Sequence, residues 1–151
     1  MSDMAKQAYE VDAMLPDPLP ADPMPLAVAW CNEAVRLKKQ PNPDAMAVAT
    51  VDADGRPSLR IVLCRGWDTQ AGVVTFFTNR TSRKGRALEA HAHAAADFFW
   101  DHLNRQMIVE GPVTHASDAE SDAYFRRRPL ISRIAAWASD QSKPIESRQA
   151  L

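Results

Sequence analysis

Apolar and polar residues alternate along the chain with two different periods. Residues 26–39 (LAVAWCNEAVRLKK) place apolar side chains at helical spacing, and the segments 45–52 and 57–65 are apolar and β-branched runs typical of strands. The Asp54-Gly55 pair between these two runs is a strong signal for a tight hairpin turn. The pattern therefore predicts a helix followed by an antiparallel hairpin.

The rest of the chain continues as a series of short strands and helices. The predicted elements are a strand at 72–79, a helix at 81–94 capped by Thr81 or Ser82, strands at 95–101 and 105–116, a helix with a Ser117/Glu120 capping box that ends before Pro129, and a helix at 131–140. Strands joined by hairpins and helical excursions predict a mainly β (α+β) fold, a small antiparallel barrel with flanking helices.

The N-terminal segment differs in composition from the rest. Five prolines between positions 16 and 25 exclude a continuous helix in that segment. We therefore expect residues 1–25 to form an extended arm and residues 26–151 to form one folded domain.

Composition narrows the functional classes. The net charge of −1 gives no overall basic field for binding nucleic acid. The two cysteines, Cys31 and Cys64, are distant and lie in apolar surroundings, and His91 and His93 have no third ligand at a zinc spacing, so neither a disulfide framework nor a metal site is expected. No apolar run reaches transmembrane length. These features predict a cytoplasmic protein without nucleic-acid or membrane partners.

Basic residues cluster where strands end and helices begin. Arg60 and Arg65 bracket an apolar run on opposite faces of a strand, and Arg83 and Lys84 follow a strand at the start of a helix, where free backbone N–H groups favour an anion. Arginines at strand ends that extend to solvent, and a solvated basic turn, remain alternatives.

A second basic cluster, YFRRRPLISR, begins at Tyr124. Tyr124, Arg128 and Ser132 could each bind a phosphate oxygen, although pairing of arginines with the helix C-terminus explains part of the cluster. Gln141 and Ser142 are weaker candidates in a loop. The sequence shows no nucleophile elbow, glycine-rich phosphate loop or carboxylate pair. Anion-binding groups with few candidate bases favour a protein that binds a phosphorylated cofactor and leaves the chemistry to it.

The ordered blocks AMAVATVDADGRPSLRIVL, FFTNRTSRKGRAL, RQMIVEGPV and SDAYFRRRPLISRIAAWASDQSKPI resemble the pyridoxamine 5′-phosphate oxidases, from about Leu19 onward. The resemblance implies a six-stranded antiparallel FMN-binding split β-barrel that forms a homodimer with FMN at the interface. The implied reaction is oxidation of a small phosphorylated pyridine, pyridoxamine or pyridoxine 5′-phosphate, to pyridoxal 5′-phosphate with dioxygen as acceptor.

By matching positions, the resemblance also implies binding residues. The FMN set is Arg60, Ile61, Val62, Leu63, Cys64, Arg65, Phe77, Thr78, Arg83, Lys84, Gln106, Gln141 and Ser142. The substrate set is Arg65, Tyr124, Arg128 and Ser132. Arg83 and Lys84 are implied to hold the FMN phosphate.

Some positions depart from the resembled pattern. Arg65 stands where the family usually has lysine, Phe77 where it has tyrosine and Ala135 where it has glycine. Family members are also expected to continue with a segment that carries a tryptophan and an arginine for FMN and an Arg-x-His motif for the substrate. Two alternatives therefore stay open: a flavoprotein of the same superfamily with another substrate, such as a phenazine-type ring or a flavin, and a non-catalytic FMN-binding module.

Overall fold

The described part of the chain contains six strands, four α-helices and two short 3-10 helices, at Asp101–Leu103 and Arg148–Ala150. The computed structural model describes residues 15–138 and 140–150. In chain order the elements are α1 (Met24–Leu37), β1 (Ala45–Val51), β2 (Pro57–Leu63), β3 (Gly66–Asp68), β4 (Val73–Thr75), α2 (Arg83–Ala90), β5 (His93–Trp100), β6 (Arg105–Pro112), α3 (Asp118–Arg127) and α4 (Leu130–Ala138).

The strands form two antiparallel sheets. One has four strands in the order β2-β1-β5-β6, and the other pairs β3 with β4. The mainly β fold and the number of strands are confirmed, but the sheet is not closed into a barrel. The chain passes from one sheet to the other directly after β2, where the Cys64 N–H donates to the Asp44 carbonyl (2.8 Å) and the Arg65 N–H donates to the Thr75 carbonyl (2.7 Å).

The β1–β2 hairpin forms as the sequence predicts. Its register runs from Ala45 opposite Leu63 to Val51 opposite Pro57. Gly55 has φ +83° in the turn, a conformation that a side chain at this position would strain. The hairpin fixes β2, whose C-terminal end leads into the candidate site.

The predicted third strand, residues 72–79, is too long. Only Val73–Thr75 is a strand, because its partner is the three-residue β3 at Gly66–Asp68, which the sequence pattern did not predict. Residues 76–79 leave the sheet and turn toward α2. Apolar character alone therefore overestimated the extent of pairing.

The first helix starts earlier than predicted, at Met24 instead of Leu26. Pro25 falls in its first turn, where a proline needs no N–H partner and its fixed φ suits the helix. Helix α1 therefore begins two residues before the start that we expect for the folded domain. Of the predicted arm, residues 1–14 lie outside the described residues, as does the C-terminal Leu151, and residues 15–23 contain no helix or strand.

The core lies between α1 and the inner face of the four-stranded sheet. Its largest fully buried side chains are Trp100, Phe98, Met46 and Val48. Phe98 packs between Trp67 and Trp100, with ring centroids 5.3 and 5.6 Å away. The outer face of the same sheet leaves large apolar side chains exposed, namely Leu59, Ile61, Phe99 and Ile108. Residues 15–138 and 140–150 therefore cover the sheet on one side only.

Candidate functional site

A cavity of about 1030 Å³ lies between the end of β2, the turn before α2, and helices α3 and α4. Its volume is at the upper end of the range typical of small-molecule sites. Most of the residues that the sequence suggested for binding line this cavity: Ile61, Val62, Leu63, Arg65, Phe77, Thr78, Lys84, Tyr124, Arg128 and Gln141. Segments far apart in sequence thus converge on one space.

Two predicted arginines do not line the cavity. The Arg60 guanidinium donates to the Val48 carbonyl (2.9 Å) and the Thr50 hydroxyl (2.8 Å), so it lies across the inner face of the sheet. Arg83 donates two hydrogen bonds, of 2.9 and 2.6 Å, to one carboxylate oxygen of Asp52. The same contact holds the pKa of Asp52 below its ordinary value.

The other predicted residues outside the lining are Cys64, Gln106, Ser132 and Ser142. Cys64 is buried, and burial raises the pKa of its thiol to about 11, so it stays protonated and unreactive at neutral pH. Gln106 donates to Asp97 (3.1 Å) on the outer face of the sheet. The strand register puts Gln106 on the same face as Ile61 but three strands away, roughly 14 Å at the usual strand spacing.

Lys84 is the most unusual charged group at the cavity. Only 6% of it is exposed, and its ammonium group donates to the Thr78 hydroxyl (3.0 Å) and the Gln141 side-chain oxygen (2.9 Å). Burial, and secondarily the nearby Arg60, lowers the pKa of Lys84. Within residues 15–138 and 140–150, no carboxylate lies at ion-pair distance from its nitrogen. A buried cation with neutral partners fits an anionic group.

The turn before α2 brings Lys84 to this position. Ser82 caps the helix, and its hydroxyl accepts a hydrogen bond from the Gly85 N–H (3.3 Å). A Cβ atom on Gly85 would lie 2.0 Å from the Arg80 carbonyl oxygen, which is a severe overlap with backbone. Only glycine at this position allows the turn to pack tightly against the helix.

Aromatic and basic side chains form another edge of the cavity. The Tyr124 ring stacks on Phe77 with a centroid separation of 4.0 Å and an interplanar angle of 5°. The Arg65 Nε–H donates to the Tyr124 hydroxyl (3.2 Å), and the Arg65 guanidinium also forms an ion pair with Asp44. This edge joins β2 to α3 through side chains alone.

The cavity also contains residues that the sequence did not suggest: Asn79, Arg80, Asp118, Ser121, Asp122, Phe125, Ala135, Ala136 and Trp137. Those on α3 precede the predicted Arg128 by helical steps of three or four residues. Helical periodicity, extended backward from Arg128, was therefore the signal that could have found them. For the segment before α2 we see no such signal.

The chemistry of the cavity is that of binding. It offers a buried ammonium group, three arginines and an aromatic stack, which can hold an anion and a flat ring. Among the described residues, no group of three His, Cys, Asp or Glu side chains could hold a metal ion. No helix in that part of the chain has the length and apolar character needed to cross a bilayer.

Comparison with known proteins identifies relatives across nearly the whole chain. The family model described as pyridoxamine 5′-phosphate oxidase matches residues 33–151. A pyridoxine/pyridoxamine 5′-phosphate oxidase of Bordetella avium (strain 197N) is 49% identical over 97% of this chain and 68% of its own length. The oxidase of Nitrobacter hamburgensis is 52% identical over 86% of this chain and 60% of its own length. This chain thus spans roughly two thirds of the length of such relatives.

Solved structures show the same fold. PhzG from Burkholderia lata 383, in complex with tetrahydrophenazine-1-carboxylic acid, has a TM-score of 0.84 and 30% identity, covering 93% of this chain and 69% of PhzG. A pyridoxamine 5′-phosphate oxidase-related, FMN binding protein from Nostoc punctiforme has a TM-score of 0.68 and 20% identity, covering 87% and 72%, and supports the fold alone. From the family model and the close sequence identity together, this chain belongs to the pyridoxamine 5′-phosphate oxidase family.

Proposed function

We propose that this chain binds FMN in the large cavity and contributes most of the active site of a pyridoxine/pyridoxamine 5′-phosphate oxidase. The curated relatives at about 49% identity carry that name. FMN, when bound, would supply the capacity to accept two electrons from the substrate. The chain itself would bind, orient and shield the reactants.

The observation that carries the proposal is the buried Lys84. A lysine that is desolvated and partnered only by neutral oxygens is electrostatically incomplete, and a phosphate group would complete it. Thr78 and Gln141 orient the ammonium group. The N-terminus of α2, with its unpaired N–H groups, adds attraction for the same anion.

The aromatic and basic edge of the cavity is suited to a second phosphorylated ligand. Arg128 and Tyr124 both line the cavity and can donate to phosphate oxygens. The stacked Phe77 and Tyr124 rings present an aromatic surface beside them. A phosphorylated pyridine would match both features. Ser132 does not line the cavity, so we assign it no direct contact in this arrangement.

A homodimer would complete the site. The outer face of the sheet exposes four large apolar side chains, Leu59, Ile61, Phe99 and Ile108, and contiguous exposed apolar side chains are typical of an interaction surface. Gln106 lies on this face, too far from Ile61 to act on a ligand in the same cavity. In a symmetric dimer the outer face of the second copy can bring its own Gln106 to the cavity. Sedimentation of the FMN-loaded protein as a 16.7 kDa monomer would contradict this arrangement.

The visible absorption of the flavin is the signal measured in the test. Protein mixed with FMN should show a bound-flavin visible spectrum, and at a hundredfold excess over the dissociation constant the ligand should stabilise the fold by about 2.7 kcal/mol. Anaerobic addition of pyridoxamine 5′-phosphate should then bleach the flavin band, and admission of air should restore it. The absence of both a thermal shift and a flavin spectrum would refute the proposal.

A second candidate activity rests on the likeness to PhzG, whose structure was solved with a reduced phenazine carboxylic acid. A tricyclic carboxylic acid could also use the aromatic stack and the arginines of the cavity. The same anaerobic titration separates the two candidates. Bleaching by a dihydro- or tetrahydrophenazine carboxylic acid, but not by pyridoxamine 5′-phosphate, would favour the phenazine-type substrate.

A further inference from the structure

Asp44 lies directly before β1 and does not line the cavity, yet it contacts a residue that does. Its carboxylate forms an ion pair with the Arg65 guanidinium, and both side chains are about one third exposed or less. The backbone locks the two residues together, because the Asp44 carbonyl accepts the Cys64 N–H at 2.8 Å. The contact therefore joins two fixed points and not two free surface side chains.

Arg65 connects Asp44 to α3. Its Nη1 faces Asp44, while its Nε–H donates to the Tyr124 hydroxyl at 3.2 Å. A guanidinium group is planar and directs its donors along fixed, different directions, so fixing one edge of the group orients the other. Lysine carries its three donors on one flexible atom and gives no comparable orientation.

The Tyr124 ring needs such a contact. It belongs to α3, which has no buried residue, and its other contact at the cavity is the stack on Phe77. Stacking fixes the plane of the ring but does not fix where the ring lies within that plane. The hydrogen bond from Arg65 sets where the hydroxyl lies within that plane.

We propose that Asp44 is a positioning residue for the ligand cavity, which holds the Arg65 guanidinium and, through it, the Tyr124 hydroxyl at the cavity edge. Arg65 thereby acts as a bridge with one edge fixed. In the described part of the chain its Nη2 has no recorded protein acceptor, so this nitrogen can donate to a ligand oxygen. Only the kinetic part of the test below rests on the proposed oxidase function.

The first experiment reads the position of Tyr124 directly and needs no cofactor. The chain has two tyrosines, Tyr9 and Tyr124, so a Tyr9→Phe protein labelled with 3-fluorotyrosine gives one ¹⁹F resonance, from Tyr124. We expect Asp44→Ala to move this resonance toward that of a solvated tyrosine and to narrow it. Asp44→Asn, which keeps the size of the side chain, should move it in the same direction by less.

Asp54→Ala is the matched control. Asp54 also pairs with an arginine, Arg56, but at the exposed β1–β2 turn. This substitution should leave the Tyr124 resonance unchanged. If Asp44→Ala leaves the resonance where it is in the parent protein, or if Asp54→Ala moves it equally, Asp44 does not position Tyr124.

The second experiment uses the FMN-loaded protein and pyridoxamine 5′-phosphate. Loss of an oriented ligand contact should raise KM about tenfold, equivalent to one decade of affinity, with kcat and FMN affinity changed less than twofold. In a Tyr124→Phe background the same Asp44→Ala change should raise KM by a smaller factor, because the positioned hydroxyl is already absent and only the orientation of Arg65 is left to lose. An equal rise in both backgrounds would overturn the proposal. Failure of the parent protein to bind FMN would refute the oxidase function, while the ¹⁹F result would still decide the role of Asp44.

Discussion

The two walls of the cavity are built in opposite ways. The wall formed by β2 and α2 rests on the sheet, whose core residues Met46, Val48, Phe98 and Trp100 are at most 1% exposed. The wall formed by α3 and α4 has no buried residue among those described. Instead α4 exposes large apolar side chains: Leu130, Ile131, Ile134 and Trp137.

The two walls should therefore differ in how easily they open. The sheet wall holds Lys84 in place by burial, so an anion site there is preformed. The helical wall is held by single contacts such as the Arg65–Tyr124 hydrogen bond and carries a second, apolar cavity of about 510 Å³ between α3 and α4. Elements with few buried contacts open at lower free energy than the core. We therefore expect α3 and α4 to open less readily when a ligand or a second copy covers them.

The largest expected difference between the two walls is the loss of stability when a tryptophan is removed from each. Trp100→Ala removes a fully buried ring and should lower the free energy of unfolding by about 3–5 kcal/mol. Trp137→Ala removes a ring that is 84% exposed and should change it by less than about 0.5 kcal/mol when the protein is dilute and monomeric. Urea denaturation of both variants measures the difference.

The same two variants can also contradict the proposed difference between the two walls. If Trp137→Ala costs as much as Trp100→Ala in dilute protein, then α4 is part of the core and the two walls do not differ. A loss that appears only at high protein concentration would instead indicate that a second copy covers Trp137.

A glycine pair probes the sheet wall itself. Gly85→Ala forces a Cβ atom against the Arg80 carbonyl, and overpacking of this kind costs about 1–3 kcal/mol. Gly111→Ala on β6 meets no atom within 4 Å and should be nearly neutral. Thermal denaturation compares the two, with FMN affinity as a second readout because Gly85 adjoins Lys84. Equal stability of the two variants would show that the turn before α2 can relax.

The sequence correctly predicted those parts of the fold that depend on contacts between residues close in the chain. The β1–β2 hairpin, the Ser82 cap and the Ser117/Glu120 capping box each depend on residues close in sequence, and all three are present. The β3–β4 pair was missed because three-residue strands leave no periodic signal. Barrel closure was predicted both from the succession of short strands and from the family resemblance, but it depends on long-range pairing that no local pattern encodes.

The site was predictable in the same uneven way. The sequence placed Arg60 and Arg65 on opposite faces of one strand, but β2 ends at Leu63, before Arg65. Alternation also could not say that Arg60 would bond to Val48 and Thr50 in its own sheet. Asp44 gave no signal at all, since an acidic residue before a strand is typical of any turn. Its contact with Arg65 arises only after β1 and β2 pair.

The capping box of α3 tests how the helical wall is held. Ser117→Ala removes the hydroxyl that accepts the Glu120 N–H at 3.2 Å and should cost about 1 kcal/mol. Because α3 has no buried residue, the loss should appear mainly as faster local hydrogen exchange in α3 and only weakly in global unfolding. Exchange that is unchanged in α3 and faster in the sheet would contradict the separation of the two walls.

The smallest effect concerns the charge that the sheet wall buries. Burial lowers the folded-state pKa of Lys84, so between that lowered value and the ordinary 10.5 the unfolded chain binds more protons than the folded one. The free energy of unfolding of the FMN-free protein should therefore increase as the pH rises through that window.

Lys84→Met should remove this increase with pH and be no less stable at neutral pH, because it replaces a buried ammonium group that lacks a carboxylate partner. Lys143→Met, at an exposed lysine, corrects for general effects of charge. The difference in unfolding free energy between the parent protein and Lys84→Met could instead stay constant with pH while the variant still loses FMN. In that case Lys84 binds the anion, but it is not desolvated in the FMN-free protein.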